Sequence, residues 1–257
     1  SHVASVLTMS GIGDYYGQLK REGHLAEYTP EAAAKLSPKV ASTIDPGYVY
    51  PVGGGLMAIA YNSKIVAPAD VPRSWDDLTN PKWKGKLALS HPAFSGFDAA
   101  LDVWLMRTKG WSFFQALAKN NPLIQRSTFE TITALNSGES SVGTMPDEVA
   151  IESARKGNPV RVVYPTDGSV LILGFTAILK DAPQPNTARL FTEFLLGTEH
   201  AKIMAANHYV PVRPEVSMTL QGSRDLNTIA MVPLRPSEQF AKDLATLIER
   251  WRDLFGS

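Results

Sequence analysis

The sequence "YVYPVGGGLMAIAYN", residues 48–62, contains the first of two apolar runs from which we predict the fold. Its second half, residues 56–61, is an unbroken apolar run with the length of a buried strand, and it follows the glycines Gly53–Gly55. A second apolar run, residues 170–179, contains Gly174 and also predicts a buried strand. Because Gly, Pro or Asp brackets each run, we predict that two long strands connect blocks of α/β structure as hinges.

Around these runs, predicted strands alternate with predicted helices, which is typical of an α/β protein. The other predicted strands cover residues 4–8, 86–89, 141–144 and 160–164. The predicted helices cover residues 14–21, 32–37, 96–107, 111–119, 128–136, 146–156, 187–196, 199–207 and 237–254. The helix at 128 is marked by a capping box, Ser127 followed by Glu130.

The composition and the absence of known motifs argue against several kinds of function. The 257 residues contain 25 Lys+Arg and 25 Asp+Glu, and this zero formal charge argues against nucleic acid or an anionic membrane as a partner. No run of 18 or more apolar residues occurs, so we predict no membrane insertion. Without cysteine the chain has no thiol nucleophile or thiolate metal site. The sequence also lacks a P-loop, G-x-G-x-x-G, H-E-x-x-H and G-x-S-x-G, so we predict a protein that is not an enzyme and needs no cofactor.

The best ligand-binding candidates lie where predicted strands are followed by helices. Ser95 precedes one helix and Arg126–Ser127 precede another, and free N–H groups at such junctions bind anions. Asp147 and Glu148 open a third helix. Each junction also fits a plain structural role, because Ser caps helices and acids in a first turn favour the helix dipole.

The carboxyl ends of strands in open α/β sheets are where ligands bind, and these junctions therefore predict one site. The predicted binding residues are Ser10, Gly11, Ile12, His91, Ser95, Gly96, Arg126, Ser127, Thr128, Met145, Asp147, Glu148, Asp167 and Ser169.

The chain resembles an extracellular solute-binding protein of an ABC importer, from the group that includes ferric-ion, 2-aminoethylphosphonate, thiamine and polyamine binders. The resemblance keeps the family order over nearly the whole chain. It rests on the segments "LKREGHLAEYTP", "VYPVGGGLMAIAYNSKIV", "PRSWDDLTNPKWKGKLALSHPAFSG", "ALNSGESSVG" and the tail from Gly168 to Val216.

This resemblance implies a type II periplasmic-binding-protein-like fold, with two α/β lobes joined by hinge strands. Lobe one would comprise residues 1–61 and 172–225, and lobe two residues 62–171 and 226–257. A solute enclosed between the lobes by hinge closure would be delivered to a membrane permease. We expect a monomer in the periplasm or outside the cell, exported with a signal peptide that this sequence does not contain.

At its N-terminus the sequence departs from the family pattern. The family opens with a strand, a helix, a further strand and a further helix before the segment that matches Ala4–Ser10. Because this sequence does not contain them, we expect an incomplete lobe one with an exposed sheet edge.

The resemblance also bears on "GDYYGQLKREG", residues 13–23. In the ferric-binding relatives, paired tyrosine ligands fall near the positions of Asp147 and Glu148, and an acidic ligand falls at Gly11. No tyrosine stands there, so we expect Tyr15 and Tyr16 on a lobe-one helix, with one ring packed inward.

The candidate residues mix neutral donors with carboxylates. This mixture predicts a small organic solute with an anionic group, and a zwitterion such as an aminophosphonate would satisfy both ends. Two alternatives remain: ferric or other metal transport using carboxylates, and an enzyme or sensor domain on the same fold.

Overall fold

The computed structural model describes residues 4–10, 14–216, 228–234 and 237–256. The chain divides into two compact units. Unit 1 contains Ser1–Gly55, Leu171–Gly222 and Pro233–Ala241, and unit 2 contains Leu56–Val170, Ser223–Val232 and Lys242–Ser257. The chain passes between the units inside two long strands, β2 (Tyr50–Asn62) and β7 (Ser169–Ile178).

Unit 1 is built on the pairing of β1 (Val6–Ser10) with β7. The two strands are antiparallel, with a register from Val6↔Ile178 to Ser10↔Gly174. The first part of β2 lies beside β7. The helices of unit 1 are α1 (Tyr15–Arg21), α2 (Pro38–Ala41), α7 (Pro185–Leu196) and α8 (Thr198–Ala206), with a 3-10 helix at Glu31–Lys35.

Unit 2 contains a mixed sheet. Its strands are the second half of β2, β3 (Leu87–Ser90), β4 (Leu123–Gln125), β5 (Val142–Pro146) and β6 (Val160–Val163). The order is β6–β2–β5–β3–β4. β3 is parallel to both β4 and β5, whereas β2 is antiparallel to β5 and β6.

Unit 2 also contains the helices α3 (Gly96–Lys109), α4 (Trp111–Ala118), α5 (Thr128–Ser137) and α6 (Asp147–Arg155). Short 3-10 helices occur at Pro68–Asp70, Asp76–Thr79 and Pro81–Trp83. The strand β8 (Met231–Pro233) pairs with β7, and α9 (Glu238–Phe255) begins in unit 1 and continues in unit 2.

Large apolar side chains fill the core of unit 2. Trp75 and Phe114 are fully buried, and Trp251 of α9 packs edge-on against the Phe114 ring, with ring centroids 5.9 Å apart. Burial of such rings contributes more apolar area per side chain than any other residue type, so they dominate the stability of the unit. In the part of the chain that the structure describes, no helix is both long and apolar enough for a membrane crossing.

The predicted start of β2 is wrong. We predicted the strand from residue 56, with Gly53–Gly55 before it, but the strand begins at Tyr50 and runs through the three glycines. A Cβ atom at Gly54 would lie 2.1 Å from the Ile172 carbonyl oxygen. Gly54 is therefore required for the close approach of two backbones, not for a turn.

The prediction for the tyrosine pair is confirmed. Tyr16 is buried and Tyr15 is 60% exposed. The Tyr16 hydroxyl accepts a hydrogen bond from the Met9 N–H (3.1 Å) and donates one to the Phe175 carbonyl. Tyr16 therefore ties α1 to both β1 and β7.

Candidate ligand-binding site

The carboxyl ends of β3, β4 and β5 meet at one edge of the unit 2 sheet, because these strands are parallel. The register pairs Ser90 with Gln125 and Ala88 with Gly143. Neighbouring strands are spaced by about 4.8 Å, so the ends of β4 and β5 lie about 10 Å apart across β3. We name this the carboxyl edge: residues 90–96, 125–129 and 145–148.

At the first junction of the carboxyl edge, the N-terminus of α3 is capped by its own side chains. The Ser95 hydroxyl accepts from the Asp98 N–H (3.3 Å) and donates to the Asp98 carboxylate (2.6 Å). Thr144 donates to the other Asp98 oxygen (3.3 Å). Burial raises the pKa of Asp98 to about 7, since desolvation outweighs these hydrogen bonds. The N-terminus of α3 thus already carries a carboxyl group.

His91 lies between this junction and the core. It is 5% exposed, and its Nδ1 accepts from the Ala93 N–H (3.0 Å). Its ring packs against Phe94 and Trp251, with centroid distances of 5.1 and 5.9 Å. These contacts fix the turn between β3 and α3.

The N-terminus of α5 is different. Ser127 Oγ accepts from the Glu130 N–H (3.3 Å), and Glu130 Oε2 accepts from the Arg126 N–H (2.8 Å). These two hydrogen bonds do not involve the N–H groups of Thr128 and Phe129. Because both residues lie in the first turn of the helix, their N–H groups have no intrahelical acceptor. Their direction and the helix dipole favour an anion at this point.

Cationic and aromatic groups surround the N-terminus of α5. Arg126 is exposed, and its guanidinium lies 5.2 Å from the centre of the Phe94 ring. Phe94 is 62% exposed and Phe129 is 75% exposed. A guanidinium over a ring face is favourable, so Phe94 holds the charge of Arg126 at this edge.

At the N-terminus of α6, Asp147 is fully buried. One of its oxygens accepts from the N–H groups of Leu56 and Glu148 (both 3.1 Å), and the other accepts from the Tyr164 hydroxyl (2.8 Å). Burial raises the pKa of Asp147, and these hydrogen bonds oppose the rise. Burial also raises the pKa of Tyr164, and the charge of Asp147 adds to that rise.

Glu148, which follows Asp147 in α6, has a side-chain oxygen without a hydrogen-bond partner among the described residues. Its side chain is 8% exposed, and this oxygen, Oε2, is buried. Burial raises the pKa of Glu148, and the charge of Asp147 raises it further. A buried carboxylate oxygen without a donor is costly, so a donor supplied by a ligand would stabilise it.

Asp167 lies in the turn before β7. Its carboxylate accepts from the Trp75 N–H (3.1 and 3.2 Å) and pairs with Lys109 (2.9 Å). Lys109 also pairs with Asp76 (2.7 Å), and the Trp75 indole donates to the Gly168 carbonyl (2.7 Å). These contacts anchor the start of β7 within unit 2.

The structure brings most of the predicted binding residues to the carboxyl edge. Those at the edge are His91, Ser95, Gly96, Arg126, Ser127, Thr128, Met145, Asp147 and Glu148. Asp167 and Ser169 lie elsewhere in unit 2, and Ser10 ends β1 in unit 1. Gly11 and Ile12 lie outside the described residues. Met145 and Ser169 are fully buried.

Sequence reasoning missed Phe94, Phe129 and Tyr164. Phe94 and Phe129 stand next to predicted residues, Ser95 and Thr128, and that adjacency was the available signal. Tyr164 could not be found in this way, because its partner Asp147 is 17 residues away. Over the residues described, no three His, Cys, Asp or Glu side chains form a group that could hold a metal ion.

The model of a family described as bacterial extracellular solute-binding proteins matches residues 3–229. The chain belongs to this family. The family and its relatives are periplasmic or extracellular binding proteins, and the fold of this solute-binding protein is the type II periplasmic-binding-protein fold.

Two curated relatives differ in what their names say. A putative 2-aminoethylphosphonate-binding periplasmic protein of Salmonella paratyphi A is 24% identical over 205 residues, which cover 75% of this chain and 58% of that protein. The spermidine/putrescine-binding periplasmic protein of Escherichia coli is 28% identical over 211 residues, which cover 74% of this chain and 58% of that protein. The chain therefore spans less than two thirds of the length of these relatives.

A solved structure gives the fold comparison. The periplasmic binding protein AfuA from Actinobacillus pleuropneumoniae, with exogenous fructose-6-phosphate bound, superposes with a TM-score of 0.75 at 23% identity. The match covers 98% of this chain and 83% of AfuA. At this identity the similarity carries the fold alone.

Proposed function

We propose that this solute-binding protein is the solute-capturing component of an ABC import system and delivers its solute to a membrane permease. The solute is a small zwitterion with an anionic group and an amine, of the aminophosphonate type. The observation that carries this proposal is the carboxyl edge of unit 2. It combines an open helix N-terminus beside Arg126 with a buried Glu148 oxygen that has no donor.

The anionic group belongs at the N-terminus of α5. Thr128 and Phe129 supply N–H groups, and Arg126 supplies a cation whose fork of donors matches a phosphonate or carboxylate. The N-terminus of α3 is a poorer place for an anion, because the buried Asp98 carboxyl would repel it once ionised.

The amine belongs at Glu148. In a buried site an ammonium would pair with the ionised carboxylate and supply the donor that Oε2 lacks. The spacing of about 10 Å across the strand ends suits a solute whose two charges are separated by a few bonds.

We assign Asp147 a positioning role in this proposal. All of its described hydrogen bonds go to Leu56, Glu148 and Tyr164, and its side chain has no exposed surface. Asp147 therefore fixes the backbone of Glu148 while its charge tunes the Glu148 carboxyl. We also propose, as the sequence predicts, that the protein binds its solute without chemical turnover and that it closes about β2 and β7.

Native mass spectrometry of the purified protein tests the proposal. We expect a co-purified organic solute with both an anionic group and an amine, or, for solute-free protein, saturable binding of 2-aminoethylphosphonate in calorimetry. Spermidine serves as the matched ligand that has amines and no anion. Tighter binding of spermidine than of 2-aminoethylphosphonate would contradict the proposal, as would a bound metal ion with no organic solute.

A further inference from the structure

Two exposed phenylalanine rings stand at the carboxyl edge, beside the place proposed for the anionic group. Phe94 is 62% exposed and Phe129 is 75% exposed. The strands β3 and β4 are parallel neighbours, and their register pairs Ser90 with Gln125. Each phenylalanine stands four residues beyond one of these paired positions. The two rings therefore belong to the same edge of the unit 2 sheet.

Arg126 connects the two loops that carry these rings. It directly follows β4, and its guanidinium lies 5.2 Å from the centre of the Phe94 ring, which follows β3. Phe129 is the second residue of α5, so its ring leaves the same helical turn as the free N–H groups. An anion held by these N–H groups and by Arg126 would bring the atoms bonded to it close to both rings.

Several hydroxyl groups of this edge are used within the protein. Ser95 donates to Asp98 (2.6 Å), and Thr144 donates to the same carboxylate (3.3 Å). The hydroxyl groups of Ser90 and Thr131 share a hydrogen bond (3.0 Å). All of these side chains are buried, so they are not presented to a solute. The two phenyl rings have no hydrogen-bonding group, and a solute hydroxyl group placed against them would lose its hydrogen bonds to water.

We propose that Phe94 and Phe129 select a solute whose body, between its anionic group and its amine, is hydrocarbon without hydroxyl groups. This inference rests on the proposed function, which assigns the two charges, and adds the chemistry of the atoms between them. A hydrocarbon body removes apolar ring surface from water, whereas a sugar-like body leaves hydroxyl groups against the rings without partners. Aminoalkylphosphonates belong to the preferred class, and amino sugar phosphates do not.

Calorimetry with a matched pair of zwitterions tests this selection. (3-Aminopropyl)phosphonate and its 2-hydroxy derivative carry the same charged groups and differ by one hydroxyl group on the body. We expect the hydroxy derivative to bind roughly tenfold more weakly, because its hydroxyl group loses water and gains no partner at the rings.

Variants of the exposed rings locate the selection. Phe129→Ala should weaken binding of (3-aminopropyl)phosphonate roughly threefold and change binding of the hydroxy derivative little, because less apolar surface is then buried by the hydrocarbon body. Phe129→Leu keeps an apolar side chain and should retain most of the preference. Phe191→Ala is the control, since Phe191 is a 45% exposed phenylalanine of α7 in unit 1.

Three results would overturn this inference and leave the proposed function standing. They are equal affinities of the two phosphonates, tighter binding of the hydroxy derivative, and equal effects of Phe129→Ala and Phe191→Ala on the preference. If neither phosphonate binds to the wild-type protein, the proposed function fails, and this inference fails with it.

Discussion

The helices α3 and α5 begin in the same way and end up with different N-termini. Each follows a parallel strand and has a serine cap followed three residues later by an acid, Ser95 with Asp98 and Ser127 with Glu130. Asp98 is short and turns inward, where it is 2% exposed and binds two hydroxyl groups. Glu130 is longer, stays exposed and binds the N–H before the cap.

A capping pattern therefore does not by itself make an anion site. At α3 the acid fills the N-terminus with a buried carboxyl group, so the positive end of the helix is already compensated. At α5 the acid lies to one side, and the first N–H groups remain available beside Arg126. Whether a helix N-terminus can bind an anion therefore depends on the position of the carboxylate of its third residue, which is Asp98 in α3 and Glu130 in α5.

The buried carboxyl group at the N-terminus of α3, which we call the closed N-terminus, should make the stability of the protein depend on pH. The folded-state pKa of Asp98, about 7, lies above its value in an unfolded chain, about 4. The folded state therefore binds the proton more tightly, and this group makes the protein less stable as the pH rises between these two values. Between about pH 5 and about pH 8, ionisation of Asp98 should lower the unfolding free energy by roughly 3 kcal/mol. Asp98→Asn should remove this part of the pH dependence.

Chemical denaturation at the two pH values measures this change. Asp253→Asn is the control, because Asp253 is exposed on α9. Asp102 is also buried and its pKa is raised by burial and by the charge of Asp98, so part of the pH dependence should remain in the variant. An unchanged pH dependence in Asp98→Asn would mean that the N-terminus of α3 carries no buried carboxyl charge.

The next effect concerns the open N-terminus. Arg126→Ala should weaken binding of the anionic solute roughly tenfold to a hundredfold, because a charge-assisted hydrogen bond contributes about 1.5–3 kcal/mol. Calorimetry with the solute found by mass spectrometry gives the dissociation constant. Arg155→Ala removes an exposed arginine from α6 and should leave it unchanged. Equal effects of the two variants would point to a general charge effect and not to a site.

A smaller effect concerns the partner of the amine. An ammonium group at Glu148 favours the ionised carboxylate, so affinity should increase as the pH rises through the raised pKa of Glu148. Glu148→Gln should flatten this dependence and weaken binding by roughly tenfold at the upper end. Titrations in buffers of different ionisation enthalpy would report the proton released on binding. A solute affinity that falls with pH would contradict the pairing.

The smallest effect compares the two caps directly. Ser95→Ala and Ser127→Ala should each lower the unfolding free energy by about 1 kcal/mol, the usual value of a serine cap. The loss at Ser95 should be the larger, because Ser95 is buried and its hydroxyl also donates to Asp98. Denaturant midpoints measure both changes. A larger loss at Ser127 would contradict the view that α3 has the closed N-terminus.

Much of the fold was predictable, because apolar runs and turn residues mark most elements. The capping box at Ser127 predicted a helix from 128, where α5 begins. The strand β4 was missed, since its three residues are half-buried and too few for a pattern. The start of β2 was misplaced, since the carbonyl that Gly54 must approach belongs to Ile172, far away in the sequence.

The sequence predicted that the strand-to-helix junctions lie together, but it did not predict the hydrogen-bond partners of the residues there. Strand-to-helix junctions identified the carboxyl edge, because the residue types there are local signals. Whether a carboxylate is free depends on distant partners, such as Tyr164 and Leu56 for Asp147 or Trp75 and Lys109 for Asp167. No local pattern distinguishes these paired acids from Glu148, whose Oε2 has no partner among the described residues.

A single NMR experiment compares solute binding at the N-termini of α3 and α5. Amide NMR spectra with and without the solute report on the N–H groups of Thr128 and Phe129 at α5 and of Gly96 and Phe97 at α3. We predict large downfield shifts for Thr128 and Phe129, since they would donate to the anionic group, and small shifts for Gly96 and Phe97. Larger shifts at Gly96 and Phe97, with Thr128 and Phe129 unmoved, would contradict the account.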